Sequence, residues 1–196
     1  TGYFQLDLPV AASQTPVTMQ SFRISRYPVT VAQYQAFVDA GGYSGQARNW
    51  WTQNGWKWKE DGKITGPEDY GSAFQTPNHP QVGVSWYEAV AFCRWLSAQL
   101  KHEITLPSEA QWERAARHTD GRAYPWGNEN EDLARRCNMG ETAIGHTSAA
   151  GIFPNGLAEC KAADMSGNVW EWCRTKWRGD YREYERNVDN ELVGTT

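Results

Sequence analysis

Three times in 196 residues a hydroxyl side chain is followed, three positions on, by Glu or Gln at the head of an apolar run. The pairs are Thr30 with Gln33, Ser85 with Glu88 and Ser108 with Gln111. Such a pair satisfies two orphan donors of a helix start reciprocally, so each one fixes where a helix begins. The first predicted helix buries Tyr34, Phe37 and Val38 and stops at Gly41-Gly42. The second lines up Trp86, Ala89, Val90, Cys93, Leu96 and Leu100 on one face. The third runs from Ser108 through Ala116 with Trp112 on its buried side. Little else is periodic. Phe22 to Tyr27 alternates and predicts a strand closed by Pro28, and residues 43–80 carry no helical or strand period. Gly, Asn, Thr and Pro dominate from Gly121 to residue 157. With 11 Trp, 9 Tyr and 18 Gly, the chain is expected to pack large rings between irregular segments.

Several function classes drop out on composition and spacing. A net charge of -4 gives no polyanion-binding surface, so no nucleic-acid partner is expected. No apolar run reaches the roughly 20 residues of a membrane span. Cys93, Cys137, Cys160 and Cys173 form no Cys-x-x-Cys pair, and His79, His102, His118 and His146 are scattered. The cysteines read as reduced thiols of a cytoplasmic protein. No Gly-x-Ser-x-Gly elbow and no phosphate-cradling glycine loop after a strand is present. The start at Thr1-Gly2 lacks Met and a signal peptide's apolar core, so a processed or excised piece is expected, with a fused upstream domain as one possibility. The tail from Lys176 is highly charged.

Candidate chemistry concentrates in Asp164 to Trp172. Asp164 and Glu171 are separated by a Gly167-Asn168 turn, and the carbonyls of Gly167 and Val169 lie between them. Mixed carboxylate and carbonyl oxygens are what Ca2+ takes as ligands. The bland alternative is a buried turn whose acids accept backbone N–H groups. The segment predicts a loop entering a strand, with Trp170 and Trp172 packed on one face and Glu171 on the other. A second oxygen-rich place holds Asn138 and Met139, followed by Glu141 to Gly145. In the unpatterned stretch, Trp50, Trp51, Trp56 and Trp58 divide between packing the loop onto the core and forming an exposed contact surface.

Five segments in order carry a resemblance. They are Tyr27-Pro28-Val29-Thr30, Pro80 to Ala89, Leu106 to Glu113, Tyr124-Pro125-Trp126-Gly127-Asn128 and Gly167 to Trp172. Together they resemble the formylglycine-generating enzyme family, the sulfatase-modifying factors, from about residue 20 to residue 177. The resemblance implies an α+β, C-type-lectin-like fold, loop-rich, with small antiparallel sheets and two or three flanking helices. It implies one structural Ca2+ site at Asp164, Gly167, Val169 and Glu171 and a second at Asn138, Met139, Thr142 and Ile144. The copper-binding cysteine pair of the enzymes lies in a segment beyond the Trp-Glu-Trp run, and none of the four cysteines here matches it.

Residues 1–196 are therefore expected to form a single domain of this type without its C-terminal segment. The first functional expectation is a Ca2+-stabilised, noncatalytic module binding a protein or peptide at Trp50, Trp51, Trp56 and Trp58. It would be of the kind that serves as the constant scaffold of retroelement-diversified variable proteins. The alternative is a formylglycine-generating oxidase using copper, completed by a C-terminal remainder.

Overall fold

A computed structural model describes residues 19–176. Four α-helices occur among them: α1 (Val31–Asp39), α2 (Gln53–Gly62), α3 (Trp86–Leu100) and α4 (Glu109–Arg117). All three predicted capping boxes close. Thr30 Oγ1 accepts from Gln33 N while Gln33 Oε1 accepts from Thr30 N, and the Ser85/Glu88 and Ser108/Gln111 pairs repeat the arrangement. At the end of α1 the chain turns through Gly41 at φ +80°, with Gly41 N and Gly42 N donating to Val38 O and Phe37 O. A Cβ on Gly42 would stand 2.5 Å from the Phe37 ring, so glycine lets the turn lie on the core.

The main core forms where α1 meets α3. Tyr34 stacks on Phe92 at 5.2 Å, and Phe37, fully buried, is ringed by Tyr43, Trp50, Phe92 and Trp95. Inside this apolar body lies one polar chain. Tyr34 Oη and Tyr43 Oη are 2.9 Å apart, and Tyr43 Oη donates to Glu88 Oε1 at 2.6 Å. The other oxygen of Glu88 accepts Ser85 N at 2.7 Å. The carboxylate that caps α3 thus also ties α3 to the loop after α1.

α2 corrects the expectation of an unpatterned loop over residues 43–80. Thr52 caps it, accepting Gly55 N at 2.9 Å. Gly occupies the position where a Glu or Gln would have signalled a capping box. Trp56 and Trp58, two apart, do not announce a helical period. The helix is mostly polar and is held by its ends and by packing against Tyr87, to which a Gly55 Cβ would come within 3.0 Å.

No strand occurs among the described residues, so the expected small sheets are not found there; two isolated antiparallel bridges join Thr30 to Pro80 and Tyr124 to Gly127. Phe22 to Ser25 keeps the alternation, with Phe22 and Ile24 half-buried against exposed Arg23 and Ser25, but Arg26 and Tyr27 are both exposed and the segment pairs with no ladder. It is anchored by Ala163 N donating to Arg26 O, and Ile24 packs with Trp112 on a second, small-residue core of Ala115, Ala116, Ala158, Ala162 and Met165. No helix of the described residues is long and apolar enough to cross a membrane. Residues 1–18 and most of the charged tail lie outside the described residues.

Candidate functional site

Val169 to Thr175 is held as a thread between the starts of α3 and α4. Three indole N–H groups pin it: Trp112 Nε1 donates to Glu171 Oε2 at 2.6 Å, Trp86 Nε1 to Cys173 O at 3.0 Å, and Trp172 Nε1 to Val84 O at 2.9 Å. Arg174 N donates to Pro107 O, and Thr175 Oγ1 accepts Glu109 N at the head of α4. The thread is not a strand, and its Trp pair does not pack on one face. Trp170 is 87% exposed, and Trp172 is half exposed despite its anchored N–H.

The turn preceding the thread is backbone-strained. Asp164, Gly167 and Asn168 all have φ between +57° and +78°. Gly167 approaches the Asn138 carbonyl so closely that a Cβ would lie 2.3 Å from its oxygen, and that carbonyl accepts Asn168 N at 2.8 Å. The Asn168 amide then pairs with both backbone groups of Ser148 and accepts from Asn138 Nδ2. Asn168 is the hub joining the two oxygen-rich places, and the Gly-Asn turn was its only sequence signal.

Asp164 is buried, and its Oδ2 accepts Gly151 N at 2.6 Å. Burial raises its carboxyl above the ordinary value, although the Gly151 and Asn168 hydrogen bonds pull the other way. Burial also raises Glu171, opposed by the Trp112 hydrogen bond and reinforced by the charge of Asp164. Among the described residues neither carboxylate has a Lys or Arg partner. A buried and a half-buried acid that repel each other without a counter-charge suit a divalent cation. The carbonyls of Gly167 and Val169, expected as further ligands, lie on the turn between them, with Gly167 O accepting Val169 N at 2.8 Å.

The second predicted set is brought together only in part. The Thr142 hydroxyl contacts Asn138 Oδ1 at 3.1 Å and Met139 O at 2.5 Å, so three oxygens converge. All are neutral, and Ile144 makes no hydrogen bond to the group among those of the described residues. These oxygens satisfy one another through the hydroxyl, so they fit a cation less well than the Asp164 pair.

Beside the thread lies a cleft of about 830 Å3. Its walls include Tyr70, Phe74, His146, Trp170, Glu171 and Trp172. Tyr70, Trp170 and Trp172 rank among the exposed large hydrophobics. The four tryptophans expected as a contact surface do not line this cleft. Trp51 is 4% exposed, donating its indole N–H to Gly42 O, and Trp50, Trp56 and Trp58 pack against the same core. They plug the long segment onto the body, because α2 and the 3-10 helix Gly45–Trp50 turn them inward. Tyr70, Phe74 and His146 carried no sequence period and went unpredicted.

The four cysteines are unpaired; Cys93 and Cys137 are buried, Cys173 is half-buried and Cys160 is exposed. Burial pushes the Cys93 and Cys173 thiols up to about 12, and burial raises Cys137 as well.

The family profile described as "Sulfatase-modifying factor enzyme 1-like domain" matches residues 1–193. The chain belongs to this family. Among curated family relatives, a hercynine oxygenase of Mycobacterium tuberculosis is 33% identical over 177 residues, covering 83% of this chain and 39% of the relative. A formylglycine-generating enzyme of Thermomonospora curvata is 34% identical over 210 residues, covering 86% of this chain and 64% of the relative. The chain thus spans less than two thirds of the length of these relatives. Among solved structures, PvdO of Pseudomonas aeruginosa superposes with a TM-score of 0.62 at 22% identity, over 81% of this chain and 58% of that one. That likeness shows the fold, and the family's named members include enzymes.

Proposed function

We propose that residues 19–176 form a calcium-knotted, lectin-like scaffold whose aromatic cleft binds an extended stretch of protein or peptide, without performing chemistry on their own thiols. The observation that carries this reading is the cleft of about 830 Å3, a size typical of ligand sites, walled by exposed Tyr70, Trp170 and Trp172 beside the Asp164/Glu171 turn. Exposed aromatics on a rigid frame are the groups that anchor ligands at low entropic cost. Thiols at Cys93 and Cys173 that stay protonated at neutral pH are poor nucleophiles, which favours binding over thiol oxidation at these positions. Ca2+ between Asp164 and Glu171 would neutralise the pair and hold the turn that leads into Trp170 at the cleft wall. The same constant-frame logic suits a scaffold of retroelement-diversified proteins. The unpaired thiols suit a reducing, cytoplasmic setting.

The experiment is a peptide array probed with the full chain, in parallel with a Trp170→Ala/Trp172→Ala double variant. Peptide binding lost in the double variant supports the reading; binding fully retained there contradicts it.

Catalysis in a longer protein is the second reading, favoured by 33–34% identity to a hercynine oxygenase and a formylglycine-generating enzyme. In that case the cleft would present a substrate to groups supplied from beyond the described residues, with copper as the metal if the chemistry is formylglycine formation. Oxygen consumption by the whole protein with a cysteine-containing peptide, or with hercynine, would establish it.

A further inference from the structure

A second depression, about 360 Å3, lies between the 122–126 turn, the 132–136 turn and the 155–161 loop. Its lining is cationic: Arg122, Arg135, Arg136 and Lys161 stand against only Asp132 and Glu159. This concentration is unexpected in a chain of net charge -4. Like charges gathered around one depression repel, and an anion seated there would relieve the repulsion that internal carboxylates leave.

Internal neutralisation is partial. Arg122 is engaged, with Nε and Nη2 donating to Asp120 at 2.9 and 2.8 Å and Nη1 standing 3.7 Å from Glu159. Arg136 has only a long approach of 3.7 Å to Glu129 and lies 5.6 Å from the centre of the Trp126 ring. Among the described residues no carboxylate pairs with Arg135 or Lys161.

The frame around these charges is rigid. Asp132 and Lys161 both adopt left-handed backbone, at φ 54° and 69°. Tight turns hold them there, Arg135 N donating to Asp132 O and Lys161 N to Ala158 O at 2.8 Å each. The opposing walls touch directly, since a Cβ on Gly156 would lie 1.7 Å from the Arg136 carbonyl oxygen. Trp126 is fixed by its N–H to Glu129 O and by face-to-face stacking on Tyr124 at 5.0 Å. Guanidinium and ammonium groups gathered beside an aromatic wall, with the exposed Arg135 and Lys161 side chains carried on these turns, match a multiply charged oxyanion, which accepts charge-assisted hydrogen bonds. The volume exceeds what a lone inorganic ion fills and falls at the small end of organic ligand sites.

We propose that this pocket is a binding site for a small organic oxyanion, a phosphomonoester or a compact dicarboxylate, held chiefly by Arg135, Lys161 and Arg136. The site shares no lining residue with the aromatic cleft and lies apart from the Asp164/Glu171 pair. The test is calorimetric titration of the full chain with glycerol 3-phosphate and, separately, with succinate, at constant ionic strength. Saturable binding is expected for at least one, weakened by about tenfold or more in an Arg135→Ala/Lys161→Ala double variant, as loss of charge-assisted contacts predicts. It should be unchanged in Trp170→Ala. Binding of the phosphate ester alone assigns phosphate, and of succinate alone carboxylate. Absence of saturable heat with both, or equal affinity in the double variant, overturns the proposal.

Discussion

Glu88 shows how much one side chain can carry. It closes the capping box of α3 through Ser85 N and receives the Tyr43 hydroxyl at 2.6 Å within the aromatic core. The Tyr43 hydroxyl is in turn held above its ordinary value by burial and by its neighbours Tyr34 and Glu88. Replacing Tyr43 by Phe leaves a buried carboxylate oxygen without its donor, and should lower unfolding free energy by about 1–3 kcal/mol in urea denaturation. The thiols divide by the same logic of burial. Cys93 and Cys173, raised to about 12, are protonated at pH 8, whereas Cys160 is exposed. Iodoacetamide at pH 8 should therefore label Cys160 first, and the two raised thiols should gain reactivity only as pH rises towards 12, read by peptide mass mapping. A fast-reacting Cys173 would show that the thread is looser than its indole anchors imply.

Among the elements, those whose ends are written in local chemistry were legible. Each capping box specifies its helix start by side-chain geometry two or three residues away, and all three helices begin there. Ser108→Ala should cost about 1 kcal/mol of stability by thermal unfolding, since it removes the acceptor for Gln111 N. α2 was illegible because its cap is a lone threonine and its burial comes from tertiary packing of Gly55 and Lys59, which no apolar period announces. The Trp-Glu-Trp run misled in the opposite direction. Its alternation resembles a strand, but three indole N–H bonds, not a ladder, hold it. The acidic pair was legible as residue types, while the Asn168 hub and the cleft aromatics depend on loops meeting from distant parts of the chain. Gly167 tests that meeting. Gly167→Ala would combine φ +78° with a Cβ 2.3 Å from the Asn138 oxygen, so a loss of about 1–3 kcal/mol is expected in denaturant melts.

The whole molecule has few regular elements to share the work of holding its second half in place. Beyond α4, from residue 118 to 176, only 3-10 turns, loop hydrogen bonds and a small-residue core occur among the described residues. A cation bridging Asp164 and Glu171 would supply the missing cross-link, converting mutual repulsion into attraction where the thread leaves the turn. The direct measurement is the melting temperature of the chain in calcium and in chelator, compared with an Asp164→Asn/Glu171→Gln double variant. A fall of several degrees is expected on chelation, where each kcal/mol is worth about 2–4 °C in a chain of this size, and chelation should cause no fall in the double variant. Equal melting temperatures with and without calcium, or a chelator effect that persists in the double variant, would contradict it.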